Sequence, residues 1–113
     1  MSNQPPLLRF DAFTLSLEVI SRLRPLMAGI PDRSLEQQLR GAASSVSLNL
    51  AESRGRTGKD RVRFLRIALG SAEETAGCLY VAGAWGYLDD EKTRPVFAKL
   101  GHLLAILGKL TRP

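Results

Sequence analysis

The sequence predicts an all-α fold, an antiparallel up-down-up-down four-helix bundle, on three observations. Apolar residues recur every three or four positions in four segments, and no segment shows sustained period-two alternation. Short polar or glycine-containing breaks separate the segments, so successive helices should be antiparallel neighbours. The chain has 113 residues, 44% of them hydrophobic, which is enough for one packed domain over residues 1–113.

Four helices are expected, over residues 10–28, 34–52, 59–86 and 93–111. The first should loosen at Pro25, because proline lacks the amide hydrogen that a helix interior uses. Its apolar face is predicted at helical spacing, with Val19, Leu23 and Leu26 broadening a line of Phe10, Phe13, Leu17, Ile20 and Met27.

The predicted helix boundaries depend on local signals. Ser34 and Gln37 stand in capping-box spacing at the start of the second helix. The fourth helix should begin near Thr93, because Pro95 is best tolerated in a first turn. The segment Ser2–Pro6 is expected to be a frayed tail.

The third helix is unusually rich in small residues, which are Ala68, Gly70, Ser71, Ala72, Ala76, Gly77, Ala82, Gly83 and Ala84. A glycine inside a helix costs about 1 kcal/mol relative to alanine. Close approach of other backbones on more than one side, and hence self-association, would explain so many small residues. Tight packing within a single bundle is the alternative explanation, and periodicity alone leaves both open.

Composition argues against an enzyme, a metal site or a membrane protein. A single cysteine, Cys78, excludes a disulfide within the chain and a cysteine-based zinc site. The single histidine, His102, has no glutamate three residues before it, as a di-iron bundle would require. No apolar run reaches 18 residues and no signal peptide is evident, so a cytoplasmic protein without a cofactor is expected.

Polar residues interrupt the apolar faces of the second and third helices. Asn49 continues an apolar stripe, and Glu52 lies at a helix carboxyl end, where the dipole disfavours negative charge unless a nearby arginine compensates it. Glu74 shares a line with Ser71, so it should be partly buried and paired. We expect Asn49, Glu52, Ser71 and Glu74 to form a structural polar network, with a catalytic carboxylate as the alternative.

Positive charge is concentrated at the second connection. Residues 54–66 hold the whole formal excess of +5, with Asp60 as their only acid. Their cations are Arg54, Arg56, Lys59, Arg61, Arg63 and Arg66. Lys59, Arg63 and Arg66 would form one stripe on the third helix.

Two interpretations of this basic segment remain open. Crowded like charges repel each other, and an anionic partner such as nucleic acid would explain why they are retained. A solvated face that pairs with acids of the same or a neighbouring chain is the alternative. Only Phe64 interleaves with the cations, so phosphate contacts are favoured over base stacking.

The stretches QLRGAASSVSLNLAES and GRTGKDRVRFLRIALGSAEET resemble the bacterial four-helix bundle family of 23S rRNA intervening-sequence proteins. The family pattern reads roughly Q-L-r-r-A-a-x-S-I-x-x-N-I-A-E-G, followed by r-F-L-x-i-A-x-G-S-x-x-E. Matching residues are Gln38, Leu39, Arg40, Ala42, Ala43, Ser45, Asn49, Ala51, Glu52, Phe64, Leu65, Ala68, Gly70, Ser71 and Glu74. Ser47 and Ser53 depart from it, where proline and glycine are common.

The resemblance implies a pentameric ring of four-helix bundles. One branch of the family is similar to the accessory variability proteins of diversity-generating retroelements, which work beside a reverse transcriptase and bind nucleic acid through basic surfaces. The expected function is therefore a non-enzymatic homo-oligomer that binds structured RNA or an RNA–DNA hybrid. The alternative is a scaffold that docks an acidic protein partner, such as a reverse transcriptase, without a direct nucleic-acid role.

Overall fold

The computed structural model describes residues 6–112 and has the predicted all-α architecture. Its four α-helices are α1 (Asp11–Leu23), α2 (Arg33–Arg54), α3 (Gly58–Ala84) and α4 (Asp90–Leu110). Both α1 and α3 pack against α2 and α4, which closes a four-membered ring of neighbours. The described part of the chain contains no strand. The predicted four-helix bundle is confirmed.

A leucine-rich core lies along the bundle axis. Its largest fully buried apolar side chains are Leu39, Leu50, Leu79, Leu100, Leu103 and Leu107. The most extensive helix pair is α2 with α3, where small residues such as Ala42 and Ala72 are buried. Small side chains let the two backbones approach closely, which accounts for the extent of this helix pair.

The buried face of α1 agrees with the prediction at Val19 and Leu23 and differs from it elsewhere. Its buried residues are Ala12, Leu15, Ser16, Val19 and Leu23, whereas Leu17 is 37% exposed. The expected Phe10, Phe13, Ile20 and Met27 pack at the edge of the core. Ser16 faces inward because its hydroxyl bonds the hydroxyl of Ser47 on α2 at 2.8 Å, which satisfies a polar group that hydropathy alone places outside.

Aspartate side chains set the beginnings of α2 and α4. Asp32 caps α2 by accepting a hydrogen bond from the amide of Leu35 at 3.1 Å, so the predicted Ser34 cap is wrong. Asp89 accepts from the amide of Lys92 at 2.9 Å, and α4 begins at Asp90. A carboxylate accepts such a bond and also complements the helix dipole, which explains both starts.

The two prolines near helix ends behave differently. Pro25 lies in a 3₁₀-helix, Arg24–Gly29, that continues α1, so the expected loosening occurs there. Pro95 lies inside α4 and is exposed, so its predicted place in the first turn is wrong. Of the expected frayed tail, residues 2–5 lie outside the described residues, and Pro6 begins a 3₁₀-helix, Pro6–Arg9.

The longest helix is α3, whose 27 residues span about 40 Å. Charged residues and glycines interrupt its apolar positions. Over residues 6–112, neither this helix nor its neighbours are long and apolar enough to cross a membrane.

Candidate nucleic-acid interface

The bundle topology collects cations at one end. Because neighbours run antiparallel, the start of α1, the end of α2, the start of α3 and the end of α4 meet there. We call this region the basic end; its cations are Arg9, Arg54, Arg56, Lys59, Arg61, Arg63, Arg66, Lys109 and Arg112. The basic segment thus lies at the surface where predicted, and Arg9, Lys109 and Arg112, which the segment does not include, join it.

Two of the predicted arginines form ion pairs with carboxylates of the same chain. Arg56 donates to Glu52 at 2.6 Å and to Asp60 at 3.2 Å. The pKa of Arg56 is raised, chiefly because the hydrogen bond to Glu52 favours the charged guanidinium. Arg63 lies 3.7 Å from Asp60. Arg56 is therefore the residue that compensates Glu52 at the end of α2.

Aromatic rings at this end bind guanidinium groups of the same chain. The Cζ atoms of Arg56 and Arg63 lie 5.0 Å and 4.6 Å from the centroid of the Phe64 ring. Arg54 lies 5.0 Å from the ring of Phe10 in the same manner. These distances are typical of cation–π contacts. Phe64 therefore orders the connection instead of offering a free platform for a nucleobase.

A cleft opens between the beginning of α3 and the end of α4. Gly58, Lys59, Val62, Arg66 and Arg112 line it. One terminal nitrogen of Arg66 donates to the carbonyl of Thr111 at 3.4 Å, which ties the arginine to the end of α4. Counting partners within residues 6–112 only, none of the three cations in the cleft forms an ion pair.

The predicted stripe on α3 is therefore divided in two. Lys59 and Arg66 face the cleft, whereas Arg63 turns to Asp60 and Phe64. Arg61 is half-buried, and its Nε atom is shielded from solvent without a hydrogen-bond partner among the described residues. The six predicted cations thus occupy different electrostatic environments.

The polar residues of α2 and α3 form a smaller network than predicted. The hydroxyl groups of Ser45 and Ser71 lie 2.8 Å apart and join the two helices. The Asn49 amide donates to the carbonyl oxygen of Ser45 at 2.8 Å and to its hydroxyl at 3.0 Å. Asn49 and Ser71 are therefore connected through Ser45, a residue that the predicted network omitted.

The two glutamates do not join this network. Glu52 pairs with Arg56, and Glu74 is exposed without an ion pair or hydrogen bond inside the described chain. The expectation that Glu74 is partly buried and paired is wrong for the single chain. Its side chain lies on the side of α3 that faces solvent, whereas Ser71 lies towards α2.

The residues with reactive side chains lie apart from one another. Cys78 is buried, and burial together with the negative charge of Glu74 raises the pKa of its thiol. His102 is exposed on α4. No group of three histidine, cysteine, aspartate or glutamate residues in the part of the chain that the structure covers is arranged to hold a metal ion.

The sequence matches the model of a known protein family. The family model described as 23S rRNA-intervening sequence protein matches residues 10–109. The chain belongs to this family. The match includes all six predicted cations of the basic segment and the serine–asparagine network.

A solved structure shows the same fold for a distant relative. It is a protein of unknown function from the S23 ribosomal protein family of Bacteroides thetaiotaomicron, with a TM-score of 0.79 and 19% sequence identity. The similarity covers 90% of this chain and 99% of that one. No curated protein matches the sequence. Neither the family description nor the description of that relative names a catalytic activity.

Proposed function

We propose that this member of the 23S rRNA-intervening sequence protein family is a non-enzymatic homo-oligomer that binds nucleic acid through its basic end. The preferred ligand is structured RNA or an RNA–DNA hybrid in the cytoplasm. The observation that carries the proposal is the gathering of cations at one end of the bundle, from the segment before α1, the α2–α3 connection, the start of α3 and the end of α4. Clustered cations bind polyanions by neutralising phosphates and releasing counterions.

The aromatic contacts favour binding to the phosphate backbone. Phe64 and Phe10 are engaged by guanidinium groups of the chain itself. Sequence-specific recognition of unpaired bases commonly uses open aromatic faces, whereas contacts to phosphates require only positioned cations. Binding should therefore depend strongly on salt and on the shape of the nucleic acid.

Self-assembly is supported by the outer face of α3. Beta-carbon atoms added to Gly70 or Gly77 would meet nothing within 4 Å beyond the adjacent backbone of α3 itself. Tyr80 of α3 and Trp85, which directly follows α3, are each 68% exposed. A second chain would cover these aromatic side chains and explain glycines that destabilise an isolated helix. The resemblance to ring-forming relatives points to a pentamer, which would present five basic ends to one polyanion.

Nucleic-acid binding is tested by fluorescence anisotropy with labelled structured RNA, RNA–DNA hybrid, single-stranded RNA and duplex DNA across a salt series. We expect the wild-type protein to bind, with log K falling by roughly 0.7–0.9 per phosphate contact for each unit of log salt. The variant Arg54→Gln/Lys59→Gln/Arg66→Gln should bind at least tenfold more weakly. Remote cations provide the control, in the variant Arg22→Gln/Arg33→Gln/Arg94→Gln.

The control variant loses the same formal charge from exposed positions outside the basic end. Equal weakening of both variants would show a general charge effect and contradict a defined interface. If no nucleic acid binds to the wild-type protein at low salt, the proposed function is overturned. Specific binding of an acidic protein to the basic end would then favour the scaffold function.

Self-assembly is tested by light scattering. We expect Gly70→Leu/Gly77→Leu to lower the assembled mass while circular dichroism shows unchanged helix content. Its matched control, Ala98→Leu/Ala105→Leu, adds side chains at the same spacing to exposed positions of α4 and should keep the mass. A wild-type mass equal to one chain, or loss of mass in the control only, would contradict assembly through α3.

A further inference from the structure

Five of the nine cations of the basic end form two groups with different partners. Arg56 and Arg63 lie against Glu52, Asp60 and Phe64. The cleft between α3 and α4 holds its own cations, Lys59, Arg66 and Arg112, for which the region 6–112 supplies no carboxylate partner. The two groups should therefore contribute unequally to the binding of an anion.

We propose that the cleft between α3 and α4 is the phosphate-binding site of the basic end, and that Arg56 and Arg63 have a structural role in the α2–α3 connection. This inference rests on the proposed function and adds to it the residues that hold the ligand. It also assigns a binding role to Arg112, which lies 46 positions after Arg66 in the sequence.

The residues of the cleft suit a phosphodiester group. Arginine presents a planar fork of N–H donors that matches phosphate oxygens, and lysine adds a compact positive charge. Arg66 is held by the carbonyl of Thr111, so less side-chain freedom is lost when it binds an anion. Thr57, the N-cap of α3, makes no side-chain capping bond, so the first turn, which begins at the lining residue Gly58, keeps amide hydrogens without a side-chain partner.

The cleft also lacks features that would select a base. Val62 is half-buried and is the only large apolar side chain among the lining residues, none of which is aromatic. A nucleobase would therefore find no aromatic ring to stack on there. The ligand chemistry that fits is the phosphate group, supplied by a nucleic-acid backbone or by a free polyphosphate.

Arg56 is poorly placed to bind a phosphate. It would have to exchange contacts with two carboxylates, Glu52 at 2.6 Å and Asp60 at 3.2 Å, for contacts with the ligand. The released carboxylates would then repel the phosphate. Its position over Phe64 indicates that it holds the end of α2 against the beginning of α3.

Two double variants of equal charge test this division. Lys59→Gln/Arg66→Gln removes cations from the cleft, and Arg56→Gln/Arg63→Gln removes the paired cations. In anisotropy titrations with structured RNA we expect the cleft variant to bind at least tenfold more weakly. Its salt slope should decrease by about 1.4–1.8, the value for two lost phosphate contacts. The paired variant should keep the wild-type slope and lose at most about threefold in affinity.

The control for the paired group uses a charge-neutral change. Removal of Arg56 alone leaves Glu52 and Asp60 uncompensated, and these carboxylates repel phosphate even when Arg56 makes no contact with the ligand. Glu52→Gln/Arg56→Gln keeps the net charge and should bind RNA as the wild type does. Arg112→Gln alone should weaken RNA binding and lower the salt slope by the value for one phosphate contact. Circular dichroism and light scattering verify that each variant keeps its fold and mass.

The outcomes separate this inference from the proposed function. If the wild-type protein binds RNA but the paired variant loses as much slope as the cleft variant, the cleft assignment is overturned and the proposed function stands. If no nucleic acid binds, calorimetric titration with tripolyphosphate decides the cleft assignment alone. If tripolyphosphate binds to the wild-type protein and the paired variant but not to the cleft variant, the cleft is a site for free polyphosphate. If tripolyphosphate does not bind to the wild-type protein, the cleft assignment is overturned.

Discussion

The inner and outer faces of α3 both carry small residues, but their surroundings differ. Ala68, Ala72 and Ala82 on the inner face are 0% exposed. On the outer face, a Cβ atom at Gly70 or Gly77 would meet no described atom within 4 Å. The alanines are explained by packing inside the bundle, whereas the glycines are not. Packing within the bundle therefore accounts for the inner face of α3, and self-association remains a proposal for the outer face.

The largest effect on folding is expected from a core leucine of the inner face. Leu79→Ala should lower the free energy of unfolding by about 2–5 kcal/mol, because it removes a side chain that is 1% exposed and leaves a cavity. Urea unfolding measures the change. The neighbouring outer-face variant Val81→Ala, at a position 44% exposed, should change it by about 0.5 kcal/mol or less. Equal losses would remove the distinction between the faces.

Enlarging a small residue should also distinguish the faces. Ala72→Leu inserts atoms into a fully packed contact and should cost about 1–3 kcal/mol of unfolding free energy, measured in urea. The outer-face change Gly70→Leu/Gly77→Leu should keep the helix content and lower the assembled mass. If Ala72→Leu leaves the midpoint of urea unfolding unchanged, the inner face of α3 has unfilled space.

A substitution at the edge between the two faces of α3 should have a smaller effect on the free energy of unfolding. Ser71→Ala removes the hydroxyl that lies 2.8 Å from Ser45 and should lower the unfolding free energy by about 1 kcal/mol. Glu74→Gln, at an exposed position three residues later, should leave it unchanged in urea unfolding. A cost at Glu74 equal to that at Ser71 would indicate that assembly provides its missing partner.

The smallest effect is expected from the thiol of Cys78 and concerns pH. Burial raises its pKa in the folded chain, so the folded state keeps a proton that the unfolded chain has lost. This stability is fully present below the thiol pKa of the unfolded chain, about 8.5, and is lost as pH rises through the folded value. Cys78→Ala should therefore show a shallower loss of stability between pH 8 and pH 10, and parallel profiles would contradict the pKa shift.

The sequence determined the fold class through the spacing of apolar residues, because one buried stripe per helix is sufficient to specify a bundle. The sequence was less informative about which residues of a helix face the core. Hydropathy placed Phe13 and Leu17 on the inner face of α1, whereas a hydrogen bond between helices turns Ser16 inward. Local hydropathy does not report a partner that is distant in sequence.

The candidate site also combines features that the sequence reveals with features that only the tertiary structure reveals. Charge counting identified the six cations of residues 54–66, because net charge is a property of composition. It treated them as equivalent, and it omitted Arg112. The ion pairs of Arg56 join residues four positions apart, so they are local contacts that the spacing of the sequence permits. Only the tertiary structure brings the end of α4 beside the start of α3. The cleft depends on distances across helices, and those distances arise when the helices pack.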